Sequence, residues 1–221
     1  MTTVEDREFL PAMTRPALLR FYDPVSRLLG ARDVQWQLVA QAGIEPGATV
    51  VEIGCGTGNV LLLAARVVPD ATVIGLDPDA DALALADRKL RRAGFAVQLD
   101  RGYADRLPYA DASVDRVLSA FMLHHLPPDQ QQAALREAHR VLVPGGRLHL
   151  VDFDGGRPTP PRALRLLHRG HTHTHAHVHA ELLGGPEAVA TALREAGFAE
   201  IAQCGHGTTA FGRHTFHRAT R

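Results

Sequence analysis

Cysteine is scarce in this chain, whose 221 residues hold only Cys55 and Cys204. Two thiols so far apart give neither a metal-ligand spacing nor a disulfide framework, and they suit a reducing compartment. Net charge is missing as well, with Lys plus Arg and Asp plus Glu at 24 each. Without a surplus of either sign there is no long-range field to draw the chain to nucleic acid or to an anionic membrane. Apolar runs stay short of the roughly 20 residues that a spanning helix requires. Glu5, Asp6, Arg7 and Glu8 stand where a secretory leader would need an apolar core. The expectation is a cytoplasmic protein with no membrane span and no nucleic-acid partner. What is present is an ordinary globular composition, 45% hydrophobic and 22% charged, sufficient for one substantial core and a single domain.

The most informative stretch is Thr49-Val-Val-Glu-Ile-Gly-Cys-Gly-Thr-Gly-Asn59, an apolar β-rich run ending in an acid and then three alternating glycines. Leu61-Leu62-Leu63-Ala64-Ala65 follows and reads as a helix, so Gly54, Gly56 and Gly58 occupy a tight strand-to-helix turn. Glycine there allows positive φ and a close approach of a ligand to the backbone, with the first helical N–H groups facing the turn. A nicotinamide or flavin fingerprint needs G-x-G-x-x-G, and its third glycine position is Asn59. The next strand, Thr72-Val-Ile-Gly-Leu-Asp77, ends about twenty residues later on a carboxylate that can accept both hydroxyls of a ribose. Glu52 is placed to meet a cationic amine, directly or through water, which a pyrophosphate would not supply. A ribose, an ammonium, a carboxylate for the helix N-terminus and an adenine together describe S-adenosylmethionine better than a dinucleotide.

Further matching segments are Val73-Ile-Gly-Leu-Asp-Pro78, Gly102-Tyr-Ala-Asp-Arg-Leu-Pro-Tyr109, Ser113-Val-Asp-Arg-Val-Leu-Ser119 and Arg140-Val-Leu-Val-Pro-Gly-Gly-Arg-Leu148. With the glycine turn they resemble, in order and spacing, the class I S-adenosylmethionine-dependent methyltransferases, in particular the ubiquinone/menaquinone-biosynthesis C-methyltransferase group. The resemblance is strong over residues 17–153 and weaker beyond. It implies a doubly wound, Rossmann-like, mostly parallel sheet of seven strands in the order 3-2-1-4-5-7-6 with the last strand antiparallel.

The pattern itself alternates strand and helix after the turn, which predicts a parallel sheet covered on both faces. Strands are expected at 48–53, 71–76, 95–100, 114–120, 146–153, 198–204 and 208–218, and helices near 58–67, 79–93, 129–142 and 186–196. Pro144-Gly145-Gly146 reads as the stop of the third helix. Gly205-His-Gly207 reads as the joint of a final hairpin, with an antiparallel edge strand. The domain 1–221 then divides into a helical cap (1–42), a cofactor-binding core (43–153), a His-rich lid insertion (154–185) and a C-terminal helix and hairpin (186–221).

Ligands of such sheets sit beyond the strand C-termini. The expected cofactor contacts are Glu52, Gly54, Cys55, Gly56, Thr57 and Gly58 in the turn. Asp77 and Pro78 follow on the second strand, Tyr103, Ala104 and Asp105 in the third loop, and Ser119 and Ala120 at the end of the fourth strand. Thr57 can offer its hydroxyl or its backbone to the methionine carboxylate, while Cys55 merely lines the turn and Asp79 suits an N-cap. Many members of the resembling family read the adenine edge with an acid followed by alanine. Tyr103-Ala104 matches that pair, leaving the Ala104 N–H for an adenine nitrogen and Asp105 as a substitute acid. Phe21-Tyr-Asp-Pro24 is like the family's Tyr-Asp segment that closes over the cofactor, which makes Tyr22 a candidate at the reacting end; a packing role for it is the alternative.

The fourth strand ends Leu118-Ser-Ala-Phe-Met-Leu-His-His125, without the Asn/Asp-Pro-Pro-aromatic motif by which amino-methylating nucleic-acid enzymes hold a base. A small-molecule acceptor is the residual class, methylated on carbon, oxygen or nitrogen; the resemblance favours a quinone-like or natural-product acceptor. His124 and His125 are the candidate catalytic bases where that acceptor must lose a proton, since imidazole titrates near neutrality. His168, His171, His173, His175, His177 and His179 crowd the insertion. They can chelate Zn²⁺, Ni²⁺ or Cu²⁺ as strand or helix, yet the repeat is of low complexity. A solvated or substrate-facing lid with incidental divalent-metal affinity is expected, and no metal site is assigned. A non-catalytic S-adenosylmethionine- or metal-binding regulator is the competing class. A homodimer is compatible with the pattern.

Overall fold

The computed structural model describes Asp23 and residues 30–154, 185–210 and 212–221. Tyr22 and the histidine run 168–179 lie outside them. In chain order the elements are α1 (Ala31–Ala42), β1 (Thr49–Ile53), α2 (Asn59–Val67), β2 (Thr72–Asp77), α3 (Ala80–Arg92) and β3 (Gln98–Arg101). Then come β4 (Val114–Ala120), a single 3₁₀ turn (Leu123–His125), α4 (Pro128–Val141), β5 (Leu142–Phe153), α5 (Pro186–Glu195), β6 (Ala199–Thr209) and β7 (Gly212–Thr220). The strands form one seven-stranded sheet, β3-β2-β1-β4-β5-β7-β6, in which β7 runs antiparallel to both its neighbours.

Strand β1 lies in the interior of the sheet, between β2 and β4, because its side chains tolerate burial on both faces. Val50, Val51 and Ile53 are 0–2% exposed, each contributing about 1.5–3 kcal/mol on leaving water. Val51, Ile53, Val117, Leu148 and Leu150 face a core shared with α4 and α5. Val50, Leu118, Val151 and Phe216 face α1, α2 and α3. Helix α4 starts with Pro128 at its first turn, where the missing N–H costs nothing. Its stripe of Gln131, Ala134, Leu135, Ala138 and Val141 is buried at the spacing of one helical face. Helix α3 is capped by Asp79, whose Oδ1 accepts from the N–H groups of Asp81 at 2.9 Å and Ala82 at 3.2 Å. Lys89, Arg91 and Arg92 complete its last turn, complementing the helix dipole.

Three boundaries differ from expectation. Strand β3 begins at Gln98 because Phe95 is still tied to α3, its N–H bonded to the Leu90 carbonyl at 3.0 Å. Strand β5 begins at Leu142, which pairs with Val114, so Pro144-Gly145-Gly146 lies inside the strand rather than ending the helix. Gly205 and Gly207 are likewise inside β6, opposite Phe216 and His214, and the strand runs on to Thr209 before the hairpin turns. These glycines make room rather than a bend, since a Cβ on Gly207 would lie 2.8 Å from His214 Nε2. The reversed strand β7 is interior, and the edge of the sheet is β6.

Candidate active site

The glycine turn joins β1 to α2 with φ of +71° at Gly54, +50° at Gly56 and +75° at Gly58, a region that side chains other than glycine's enter at a cost. Two of the three also meet close neighbours. A Cβ on Gly54 would come within 2.3 Å of Met122 Cγ, and one on Gly58 within 2.9 Å of the Ala86 Cβ. Gly56 faces open space, with no atom within 4 Å of a Cβ built there. The turn is therefore packed at both ends and open in the middle, where a ligand can lie against the backbone.

Two carboxylates flank that opening. Asp77 is 9% exposed; its Oδ2 accepts from the Gly56 N–H at 2.8 Å and its Oδ1 from the Asp79 N–H at 2.9 Å. Burial outweighs these bonds and raises its pKa to about 6. Each oxygen has a second lone pair for a further donor. Glu52 is 3% exposed, and its pKa is raised well above the ordinary value by desolvation and by Asp77. The Leu61 N–H opposes the shift, while Oε2 has no hydrogen-bond partner among the described residues. An unsatisfied buried carboxylate oxygen costs about 1–3 kcal/mol or more, a cost that a cationic ligand group would remove. Cys55 lies buried beside both acids, and its thiol is pushed up by burial and by their charges; it lines the turn as an inert thiol.

Thr57 is 4% exposed and donates its hydroxyl to Asp23 Oδ1 at 2.6 Å, so its backbone is the part left for a ligand. Beyond the second strand, Arg101 Nε donates to the Pro78 carbonyl at 3.0 Å and the Gly102 N–H to the Asp77 carbonyl at 3.2 Å, which fixes the third loop against the second. Tyr103, Ala104 and Asp105 are half-buried there, and the Ala104 side chain packs on the core. Behind them the Tyr109 hydroxyl donates to Asp100 Oδ2 at 3.1 Å.

Ser119 is brought to the strand end but turned away. Its side chain lines a small apolar cavity with Ile53, Met122, Leu123 and Leu150, and its Oγ has no partner among the described residues. Ala120 and Phe121 complete the strand end, Phe121 at φ +55° with its N–H bonded to the Val151 carbonyl at 2.8 Å. Such a φ in an aromatic residue stores about 1–3 kcal/mol and clusters at functional sites.

His124 meets Asp152, a residue the sequence reading passed over. His124 Nδ1 lies 2.5 Å from Asp152 Oδ1, and the His124 N–H reaches Oδ2 at 3.2 Å. Both residues are buried, at 6% and 2% exposure. An ionised carboxylate can only accept, so Nδ1 is the donor of this contact. The His125 ring lies 4.1 Å from that of His124, and Phe153 packs edge-on at 4.9 Å. Asp152 was legible in principle, because Leu148-His-Leu-Val-Asp152 ends in an acid at a strand C-terminus just as β1 and β2 do.

A family model described as a methyltransferase domain matches residues 50–146. The ubiquinone/menaquinone biosynthesis C-methyltransferase of Syntrophotalea carbinolica is 33% identical over 163 residues, 71% of this chain and 67% of that protein. The chain belongs to the class I S-adenosylmethionine-dependent methyltransferases. It is an enzyme of methyl transfer, with S-adenosylmethionine as cofactor. The demethylmenaquinone methyltransferase of Thermus thermophilus is 34% identical over 67% of this chain and 66% of its own length. That of Lactobacillus johnsonii is 37% identical, and the match spans about half of it, 48%. A SAM-dependent methyltransferase from Aquifex aeolicus shares the fold of this methyltransferase with a TM-score of 0.70 at 20% identity, over 94% of this chain and 99% of that one. A phosphoethanolamine N-methyltransferase from Haemonchus contortus, solved with S-adenosylhomocysteine, gives 0.68 at 16% identity over 86% and 52%.

The site fits the cofactor on its own terms. The orphaned Glu52 oxygen, the open face at Gly56 and the spare lone pairs of Asp77 are an acceptor-rich cradle. They suit a ligand bearing an ammonium and two vicinal hydroxyls, and a pyrophosphate would meet two acids there.

Proposed function

We propose that this methyltransferase acts on a small, partly apolar acceptor that must lose a proton, such as a phenolic or quinol-like ring. The observation that carries the reading is the His124–Asp152 pair, 2.5 Å apart. S-adenosylmethionine supplies an electrophilic methyl group on a sulfonium sulfur. Glu52 receives its amine, the backbone of Gly54 to Gly58 its carboxylate, Asp77 its ribose, and Pro78 with the Ala104 N–H its adenine. Ser119 and Ala120 contribute through their backbone. Asp152 keeps the proton on His124 Nδ1 and aims Nε2 at the acceptor, where it takes the proton as the acceptor's electron pair attacks. His125 packs against that imidazole. The names of the curated relatives, which work in quinone biosynthesis, support an aromatic acceptor; balanced charge and low cysteine content support a cytoplasmic setting and argue against nucleic acid.

The test is incubation with S-adenosylmethionine and a panel of demethylated naphthoquinols, simple phenols and primary amines, with products read by mass spectrometry. A methylated quinol or phenol is expected, with His124→Ala reducing turnover by about 10²–10⁴-fold while S-adenosylhomocysteine affinity stays unchanged. Methylation of amines alone, or a His124→Ala enzyme of full activity, would overturn the reading.

A further inference from the structure

Asp23, far from the glycine turn in sequence, is the focus of a polar network that touches three parts of the chain. Its Oδ1 accepts from Thr57 Oγ1 at 2.6 Å and from Asn59 Nδ2 at 2.8 Å, and its Oδ2 pairs with the ammonium of Lys89. Lys89 Nζ also donates to Asn59 Oδ1 at 2.7 Å and lies 3.4 Å from Thr57 Oγ1. Thr57 and Asn59 flank Gly58, the last glycine of the turn, and Lys89 comes from the last turn of α3. The side chains of Lys89 and Asp23 are only 23% and 25% exposed, so the pair is shielded more than a surface ion pair and is hydrogen-bonded besides.

A hydroxyl, an amide and an ammonium thus converge on one carboxylate. Thr57 and Asn59 give their donors to Asp23 and their acceptors to Lys89, and Lys89 ties the turn to a helix that carries no assigned cofactor contact. We infer that Asp23 and Lys89 are positioning residues for the cofactor: together with Asn59 they form a latch that holds Asp23 on the glycine turn and sets the turn's backbone geometry for binding. The inference rests on the turn being the cofactor's seat. Its chemistry is that of an internal anion clasped by three donors, and the three partners work as one unit.

Two measurements test it. In the ligand-free protein, amide hydrogen exchange of the peptide containing residue 23 is expected to quicken in Asp23→Asn and in Lys89→Met, with Lys89→Arg restoring the slow rate. This readout needs no cofactor, so it stands even where the proposed acceptor or base fails. Calorimetry with S-adenosylhomocysteine is expected to show Kd raised about 5–20-fold in each single variant and no more in the double variant, the signature of one coupled unit. Affinities that fall independently and multiply in the double variant would overturn the latch, as would unchanged exchange and affinity. Tighter binding by Asp23→Asn would overturn it too, because Asp23 would then be competing with the cofactor's own carboxylate. Wild-type protein that does not bind S-adenosylhomocysteine would instead remove the seat itself.

Discussion

At the scale of single residues, Asp77 carries the clearest consequence. Its two oxygens each hold one backbone N–H, so Asp77→Asn sets an amide N–H against an N–H and is not a conservative change. Both Asp77→Ala and Asp77→Asn are expected to weaken S-adenosylhomocysteine binding by about 1–3 kcal/mol, read by calorimetry; unaltered affinity would remove the ribose contact. The pKa near 6 adds a pH signature. A raised carboxylate pKa means the ligand-free fold is stabilised by this group at low pH, fully below about 3.9, and loses that contribution as pH rises through 6. Hydroxyl donors from a ribose favour the charged form. Binding near pH 6 should therefore release protons, and affinity should climb with pH and level off above about 7. Calorimetry in two buffers of different ionisation enthalpy measures that release, and proton uptake would contradict the assignment.

The elements explain why some of this was readable from the chain and some was not. Gly54, Gly56 and Gly58, the carboxylates that end β1 and β2, and the Asp79 cap are local signals, each decided within a few residues, and they were legible. Asp23 was visible as part of a Tyr-Asp segment and Asp152 as a strand-end acid, but their partners were not legible, because those partners lie 34 and 28 residues away. Gly205 and Gly207 misled for a related reason: a glycine that clears space for a cross-strand ring looks in sequence like one that turns the chain. The same distinction separates two substitutions in the cofactor turn. Gly58→Ala adds a left-handed φ penalty to a clash with Ala86 between α2 and α3, and about 2–3 kcal/mol of stability should be lost in urea unfolding. Gly54→Ala pushes on Met122, which leads into the 3₁₀ turn holding His124. It should depress methyl transfer well beyond its effect on S-adenosylhomocysteine affinity, and equal losses in both would contradict that coupling.

On the scale of the whole molecule, the side of the sheet toward the C-terminal hairpin is laced with buried imidazoles. His149 is 2% exposed, its Nε2 without a partner among the described residues. Burial, with Arg116, Arg218 and Arg147 nearby, lowers its pKa to about 4. His214 and His217 are shifted the same way, mainly by burial. A depressed histidine pKa gives stability that is complete above about 6.5 and is lost as pH falls toward 4, up to about 3 kcal/mol for His149. Acidification from pH 7 to 5 should withdraw this contribution, while the raised carboxylates of Asp77 and Glu52 act in the opposite direction. The difference between wild type and His149→Leu isolates it: the urea midpoint of wild type should fall relative to that of the variant over this window, and a constant difference would assign the acid sensitivity elsewhere.

Because the reversed strand β7 lies inside the sheet and β6 outside it, neither can be laid down alone. Asp152 sits on β5 in register with Thr215 of β7, so the carboxylate that steadies His124 belongs to a strand with an open flank until residues 212–220 arrive, carrying their partner β6 with them. A nascent chain can complete its nucleoside cradle from the first hundred or so residues of sequence-local βαβ units, which close early. The His124–Asp152 pair, proposed to move the acceptor's proton, gains its full flank only when residues 199–220 join the sheet as a ribbon.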